Sequence, residues 1–180
     1  MRSWAEIARR IRVPLGFAFA FLYLWLARPS PKSLLIGAMI CLPGLILRGV
    51  ASGHVQKNTR LATTGPYAFT RNPLYLGSLI LAGGFAVAAR NIWIALALLV
   101  LFIAVYVPVV QAEERFLQRT FPEFTDYAQQ VPRFLPRWAP AASRRGEFSV
   151  QLYWEHREYN SLLGAAAMMA ALAVKMLWFR

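Results

Sequence analysis

Two polar signatures carry the residues of this chain that could do chemistry. The first is Gly65-Pro66-Tyr67-Ala68-Phe69-Thr70-Arg71-Asn72-Pro73-Leu74-Tyr75-Leu76-Gly77. The second opens with Glu113-Glu114-Arg115-Phe116-Leu117. It runs through Phe121-Pro122-Glu123-Phe124-Thr125-Asp126-Tyr127 and ends at Val131-Pro132-Arg133-Phe134-Leu135-Pro136. Side chains of these types recognise charged and polar ligands. A carboxylate accepts from hydroxyl and amino groups, and a guanidinium forks onto an oxyanion. The tyrosines add flat faces with a polar tip. Each signature abuts a long apolar segment, where paired carboxylates and an arginine-proline turn are costly to keep. A chain that carries both there is predicted to use them.

Other chemistries find no foothold in the sequence. There is no Gly-x-Gly-x-x-Gly after a strand, no phosphate loop and no His-Glu-x-x-His, so a nucleotide site of the soluble type is not expected. Cys41 is the only cysteine, which excludes an intramolecular disulfide and a cysteine-based metal site. It reads as a small buried apolar residue. His54 and His156 have no ligand spacing around them, and no metal is expected.

The elements that must position the signatures are apolar helices. The hydrophobic share is 58%, the charged share 16% and the mean hydropathy +0.42. Charge is missing from Val13 to Ala27, Ser33 to Leu47, Asn72 to Ala89, Asn91 to Ala112 and Tyr159 to Val174. A spanning helix needs about 20 mostly apolar residues. The fourth block meets this alone, and flanking Arg and Lys extend the others by snorkelling. The expectation is an all-α integral membrane protein, one domain over 1–180, with about five transmembrane helices and a C-terminal cytoplasmic cofactor-binding region.

The net charge of +12 does not point to nucleic acid, because Arg and Lys cluster beside the apolar blocks. With the N-terminus inside, fifteen of the 20 fall on the inside segments. That bias is the mark of a cytoplasmic face, and membrane lipid is the expected partner of the charge. Leu26-Ala27-Arg28-Pro29 is a poor cleavage site, so the first block reads as an uncleaved anchor. Before it, Trp4, Ile7, Ala8 and Ile11 share one helical face that suits the membrane surface. Arg28-Pro29-Ser30-Pro31-Lys32 predicts a tight reversal, and Pro43-Gly44 a kink. Only Arg90-Asn91 separates the third and fourth blocks. They form an antiparallel hairpin, which places the Arg71 turn and Glu113-Glu114 at one surface. After Glu114 the helix is predicted to continue to Thr120, and Pro122 to open the next. Leu117, Phe121, Phe124, Tyr127 and Val131 recur at helical steps and should cover the mouth of the hairpin.

Over about residues 60–138, the two signatures resemble the isoprenylcysteine carboxyl methyltransferase family of membrane enzymes, relatives of the phospholipid N-methyltransferases. Members show Gly-Pro-Tyr, a few residues, Arg-His-Pro, then Tyr and Gly. Glu-Glu-x-x-Leu and a Tyr-rich stretch ending in Val-Pro-Arg-x-x-Pro follow. The resemblance implies an S-adenosylmethionine-dependent methyltransferase at the cytoplasmic edge of an inner or plasma membrane. Its lipophilic methyl acceptor would be a prenylcysteine-type carboxylate or a lipid headgroup.

Under that reading Arg71, Asn72 and Glu114 are the catalytic candidates. Tyr67, Arg71, Tyr75, Gly77, Glu113, Glu114, Tyr127, Pro132 and Arg133 are the cofactor-binding ones. Glu113 or Glu114 would accept from the ribose hydroxyls or the amino group, and Arg71 or Arg133 would grip the donor carboxylate. The tyrosines would pack against adenine, and Gly77 would let a ligand approach its helix. Glu155, Arg157 and Tyr159, at the start of the last block, are substrate-binding candidates. Asn72 departs from the family pattern, which has His there; the amide cannot titrate near neutral pH as imidazole can. Two other classes stay open. An NADPH-dependent membrane reductase of the sterol-reductase type shares a similar scaffold, but its pattern has Asn-Tyr after the proline and Glu after the glycine. Leu74-Tyr75 and Ser78 stand there. A non-catalytic lipid-binding relative would explain Asn72.

Overall fold

The computed structural model describes residues 17–56, 59–141 and 146–178, and no strand occurs among them. The helices are α1 (Phe17–Leu26), α2 (Pro31–Ser52), α3 (Pro73–Ala89), α4 (Ile92–Thr120), α5 (Phe124–Gln130), α6 (Val150–Glu155) and α7 (Tyr159–Trp178). A single 3₁₀ turn, Gly65–Ala68, precedes α3.

Local chemistry explains the boundaries. Ser30 caps α2 by accepting from the Ser33 amide at 3.2 Å, while Ser33 Oγ accepts from the Ser30 amide at 2.9 Å. Pro31 then supplies a first helical residue that needs no donor. The predicted tight reversal is therefore a reciprocal cap. At the hairpin, Arg90 takes a left-handed conformation (φ 50°) and ends α3. Asn91 Oδ1 accepts from the Trp93 amide at 2.9 Å and starts α4. As expected, α4 runs to Thr120. Pro122 differs: it sits in the turn before α5, which begins at Phe124.

Three helices, α2, α4 and α7, are long and apolar enough to cross a membrane, while α1 and α3 are shorter apolar helices. The 17 residues of α3 rise about 26 Å against a hydrocarbon layer of about 30 Å. Large apolar side chains on α2 and α4, such as Leu35, Met39, Leu42, Leu99 and Ile103, point outward. Hydrocarbon solvates such a surface, as in a membrane protein. The surface helix expected from Trp4, Ile7, Ala8 and Ile11 lies outside the described residues.

Within α4 the turn Phe102–Tyr106 is π-helical. Pro108 follows it, and its ring and missing N–H disturb the carbonyl four residues back. The charge-free run from Asn91 to Ala112 gave no sign of this interruption.

Helices α2 and α3 touch backbone to backbone. A Cβ on Gly37 would lie 2.6 Å from the Gly84 carbonyl oxygen, and one on Gly44 would lie 2.9 Å from that of Gly77. Small residues two turns apart on both helices permit this contact. Gly44→Leu is expected to force the pair apart, lowering stability by about 1–3 kcal/mol. Thermal unfolding in detergent checks this; an unshifted transition would mean the contact contributes nothing. At the other end of the bundle, Tyr23, Ala27, Ala88, Ala89, Ile94 and Leu172 form a buried cluster. Nearby, Lys175 Nζ donates to the Leu24 and Trp25 carbonyls at 2.6 and 2.7 Å, closing the C-terminus of α1.

Candidate functional site

The Glu114 carboxylate joins the two signatures. Oε1 accepts from Asn72 Nδ2 at 3.0 Å. Oε2 accepts from Arg133 Nε at 2.9 Å and stands 2.6 Å from Arg133 Nη2. A buried carboxylate is tolerated when it is paired and hydrogen-bonded in this way. Arg71 approaches the same group more loosely, with Nε 3.7 Å from Oε1. That nitrogen is buried and has no hydrogen-bond partner. On the next helical position, Glu113 Oε2 accepts from the Tyr75 hydroxyl at 2.7 Å.

Asn72 shows what the amide does where the family pattern has imidazole. It sits at the N-cap of α3 but makes no cap bond with its side chain. Its one nitrogen donates to Glu114 and also to the Arg133 carbonyl, at 3.2 Å. A single imidazole nitrogen carries at most one proton and cannot serve two acceptors from the same atom.

The turn before α3 holds the end of the second signature by its backbone. The Arg71 amide donates to the Pro132 carbonyl at 2.9 Å, and the Arg137 amide to the Phe69 carbonyl at 3.0 Å. Thr70 Oγ1 lies 3.1 Å from both the Arg133 and Phe134 carbonyls. The 131–138 segment thus forms a strap across the start of α3. Gly65 opens the turn with φ 57°, a conformation suited to glycine. The Tyr127 hydroxyl donates to the Tyr67 carbonyl at 2.7 Å and ties α5 to the turn.

A cavity of about 470 Å³ lies against this constellation. Tyr67, Arg71, Asn72, Tyr75, Glu113, Glu114 and Tyr127 line it, with Leu61, Leu117, Phe121 and Phe124 as apolar walls. Its size falls in the range of small-molecule sites. Burial, then the nearby Glu113 carboxylate, pushes the Tyr67 phenol well above its ordinary value. Burial does the same to Tyr127, against the Arg71 charge that pulls it down. Both phenols are therefore neutral donors at working pH. A second groove, about 460 Å³, lies on the other side of Arg71 and Glu114 and is lined by Arg115 and Arg133.

Most of the residues singled out from the sequence thus come together, but not all. Pro132 contributes its carbonyl to Arg71 and does not line the cavity. Gly77 faces α2: a Cβ there would meet Arg48 Cγ at 2.5 Å and the Gly44 carbonyl at 2.8 Å. Its close approach is to a helix, so the expected ligand contact is corrected. Glu155, Arg157 and Tyr159 line neither cavity. Glu155 accepts from Gln151 at 2.7 Å, Arg157 is left-handed at φ 52°, and Tyr159 packs on Trp154 with ring centroids 5.1 Å apart. Their neighbour Glu158, passed over in the sequence, makes the buried contact. It pairs with Arg48 at 2.7 Å. Arg60, Val109 and Ala112 also line the cavity and carried no pattern that would have flagged them.

Residues 48–123 match the family described as phospholipid methyltransferase. The match takes in the whole first signature together with Glu113 and Glu114, and supports the family resemblance drawn from them. Two curated relatives are similar over 82 residues. The nickel-cobalt-cadmium resistance protein NccN of Alcaligenes xylosoxydans xylosoxydans is 40% identical, covering 46% of this chain and 38% of the relative. The cobalt-zinc-cadmium resistance protein CzcN of Cupriavidus metallidurans is 38% identical with the same coverage. The chain thus spans under half the length of the curated relatives it matches. No solved structure matches it. The matched segment is that of a methyltransferase family, and the apolar helices are those of a membrane protein.

Proposed function

We propose that this chain is an S-adenosylmethionine-dependent membrane methyltransferase that acts on a lipophilic acceptor at the cytoplasmic face. The observation that carries the reading is a ligand-sized cavity within the matched segment whose wall brings together Arg71, Glu113, Glu114 and the tyrosines Tyr67, Tyr75 and Tyr127. The Arg71 guanidinium lining it can fork onto a ligand oxyanion. The other residues fit the donor too. Glu113 is exposed and can accept from hydroxyl or amino groups, and the apolar wall of Leu61, Leu117 and Phe121 suits adenine.

S-Adenosylmethionine supplies an electrophilic methyl group on a sulfonium centre. The chain's task is then to bind and align, because methyl transfer needs little acid–base help once the partners are oriented. Arg71 would hold the donor carboxylate, while Tyr75 sets the rotamer of Glu113 and Glu114 fixes Arg133 and Asn72. No group in this set needs to titrate, which agrees with Asn72 in place of His. The five-span arrangement, with α1 and α3 tilted or shortened within the bilayer, belongs to the same proposal, as does the Arg- and Lys-rich cytoplasmic side. The names of the relatives, both metal resistance proteins, offer a setting: a modified lipid would change how the bilayer meets divalent cations.

Calorimetry on the detergent-purified protein tests the cofactor. Binding of S-adenosylmethionine or its demethylated product is expected, and Arg71→Met should weaken it about tenfold or more, the worth of a hydrogen bond to a charged group. Clear NADPH binding without either adenosyl compound would transfer the site to the reductase class.

A further inference from the structure

We infer that the 131–138 strap is immersed in the membrane and binds anionic lipid there. The inference needs only the fold, and stands whether or not the cavity takes a methyl donor.

Depth is the first observation. Arg133 and Phe134 are consecutive, yet they reach opposite parts of α4. Arg133 Nε bonds Glu114, while the Phe134 ring packs edge-on against Phe102 with centroids 6.2 Å apart. Phe102 and Glu114 are separated along the helix by about 18 Å. Phe102 belongs to the charge-free run of α4, next to the outward-facing Leu99, Val100 and Ile103. The strap thus sends the Phe134 ring down beside the spanning part of the helix.

Exposure is the second. Leu135 is 81% exposed and Trp138 is fully so. Apolar side chains bared beside a spanning helix meet hydrocarbon and the interface, and Trp is favoured at that level. The Pro132, Arg133 and Phe134 carbonyls and the Arg137 amide are paired with residues 69–72, which holds the strap against the start of α3.

Charge names the occupant. From Ala128 to Ala141 the chain has Arg133 and Arg137 and no acidic residue. Both arginines are exposed, and Arg137 Nη1 also donates to the Gln130 carbonyl at 2.5 Å. A basic segment at this level fits the phosphate layer of an anionic phospholipid. Lipid seated there would press on the same strap that delivers Arg133 to Glu114.

Spin labels in a Cys41→Ser background test this in lipid nanodiscs. Trp138→Cys is labelled, with Leu99→Cys as the hydrocarbon reference and Glu123→Cys as the water reference. The label at 138 is expected to fall between 99 and 123, still more accessible to oxygen than to a water-soluble nickel chelate. A label that behaves like 123 overturns the immersion. If Trp138→Cys does not fold, Leu135→Cys gives the same reading. Adding phosphatidylglycerol to phosphatidylcholine discs should lower nickel accessibility at 138 severalfold, and Arg137→Gln should remove the difference. Identical accessibility in both lipids overturns the anionic specificity.

Discussion

Glu114→Ala is expected to abolish measurable donor binding and to destabilise the protein by about 3 kcal/mol. The carboxylate is buried and serves donors from both signatures, Asn72 and Arg133. Its loss leaves the Asn72 amide short of an acceptor and frees the Arg133 side chain. Arg133 is half exposed, so water recovers part of its cost; the estimate therefore sits at the low end of the range for a broken buried pair. The Arg71 guanidinium also loses its nearest counter-charge. With 180 residues, a loss of that size lowers the melting transition by about 6–12 °C. Glu114→Gln keeps an acceptor for Asn72 and should be milder in stability while still losing affinity. Wild-type affinity in Glu114→Ala would show that the joined signatures are scaffold only.

Glu158→Ala should be comparably harmful to stability and nearly silent in donor affinity. Arg48 uses all of its donors inside the protein. Nε and Nη2 reach the Glu158 oxygens at 2.7 and 3.0 Å, Nη2 also reaches Ser161, and Nη1 reaches Ser78 and the Leu74 carbonyl. The guanidinium thereby fastens α7 to α2 and α3. Removing the carboxylate leaves a cation whose side chain is only 20% exposed without its counter-charge, a loss of about 2–3 kcal/mol once water and the remaining bonds are counted. Neither residue lines the cavity, so calorimetry and unfolding should part company. A fall in affinity as large as that of Glu114→Ala would mean that α7 shapes the site.

The cavity was legible in the sequence to the extent that its residues are polar beside apolar runs. Arg71, Asn72, Glu113 and Glu114 stand out because charge is expensive at a helix end in a bilayer, and the short Arg90-Asn91 link forces them together. The Arg48–Glu158 pair escaped notice because each partner, taken singly, is what a helix terminus near a headgroup layer would carry. Their sequence separation of 110 residues leaves no local pattern. Gly77 misled for a related reason. A small residue on a helix signals close approach, but periodicity does not say whether a ligand or another helix does the approaching. The π-helical turn was hidden by composition, since hydropathy is blind to the register that Pro108 disturbs.

The backbone contact between α2 and α3 has a kinetic meaning. With Gly37 against Gly84 and Gly44 against Gly77, the two helices meet backbone to backbone at two levels, which leaves little room to slide or tilt. Under the proposed function, the breathing that admits a lipophilic acceptor to the cavity would come from other parts. Between α3 and α4 the contact near the cavity is aromatic, with Tyr75 edge-on to Tyr106 at a centroid distance of 6.0 Å. Rings swing by rotamer changes on the fast timescale of side chains, whereas a glycine-to-glycine backbone contact cannot open without parting the helices. The molecule therefore has a rigid half and a compliant half, and the seam between them runs past Glu113.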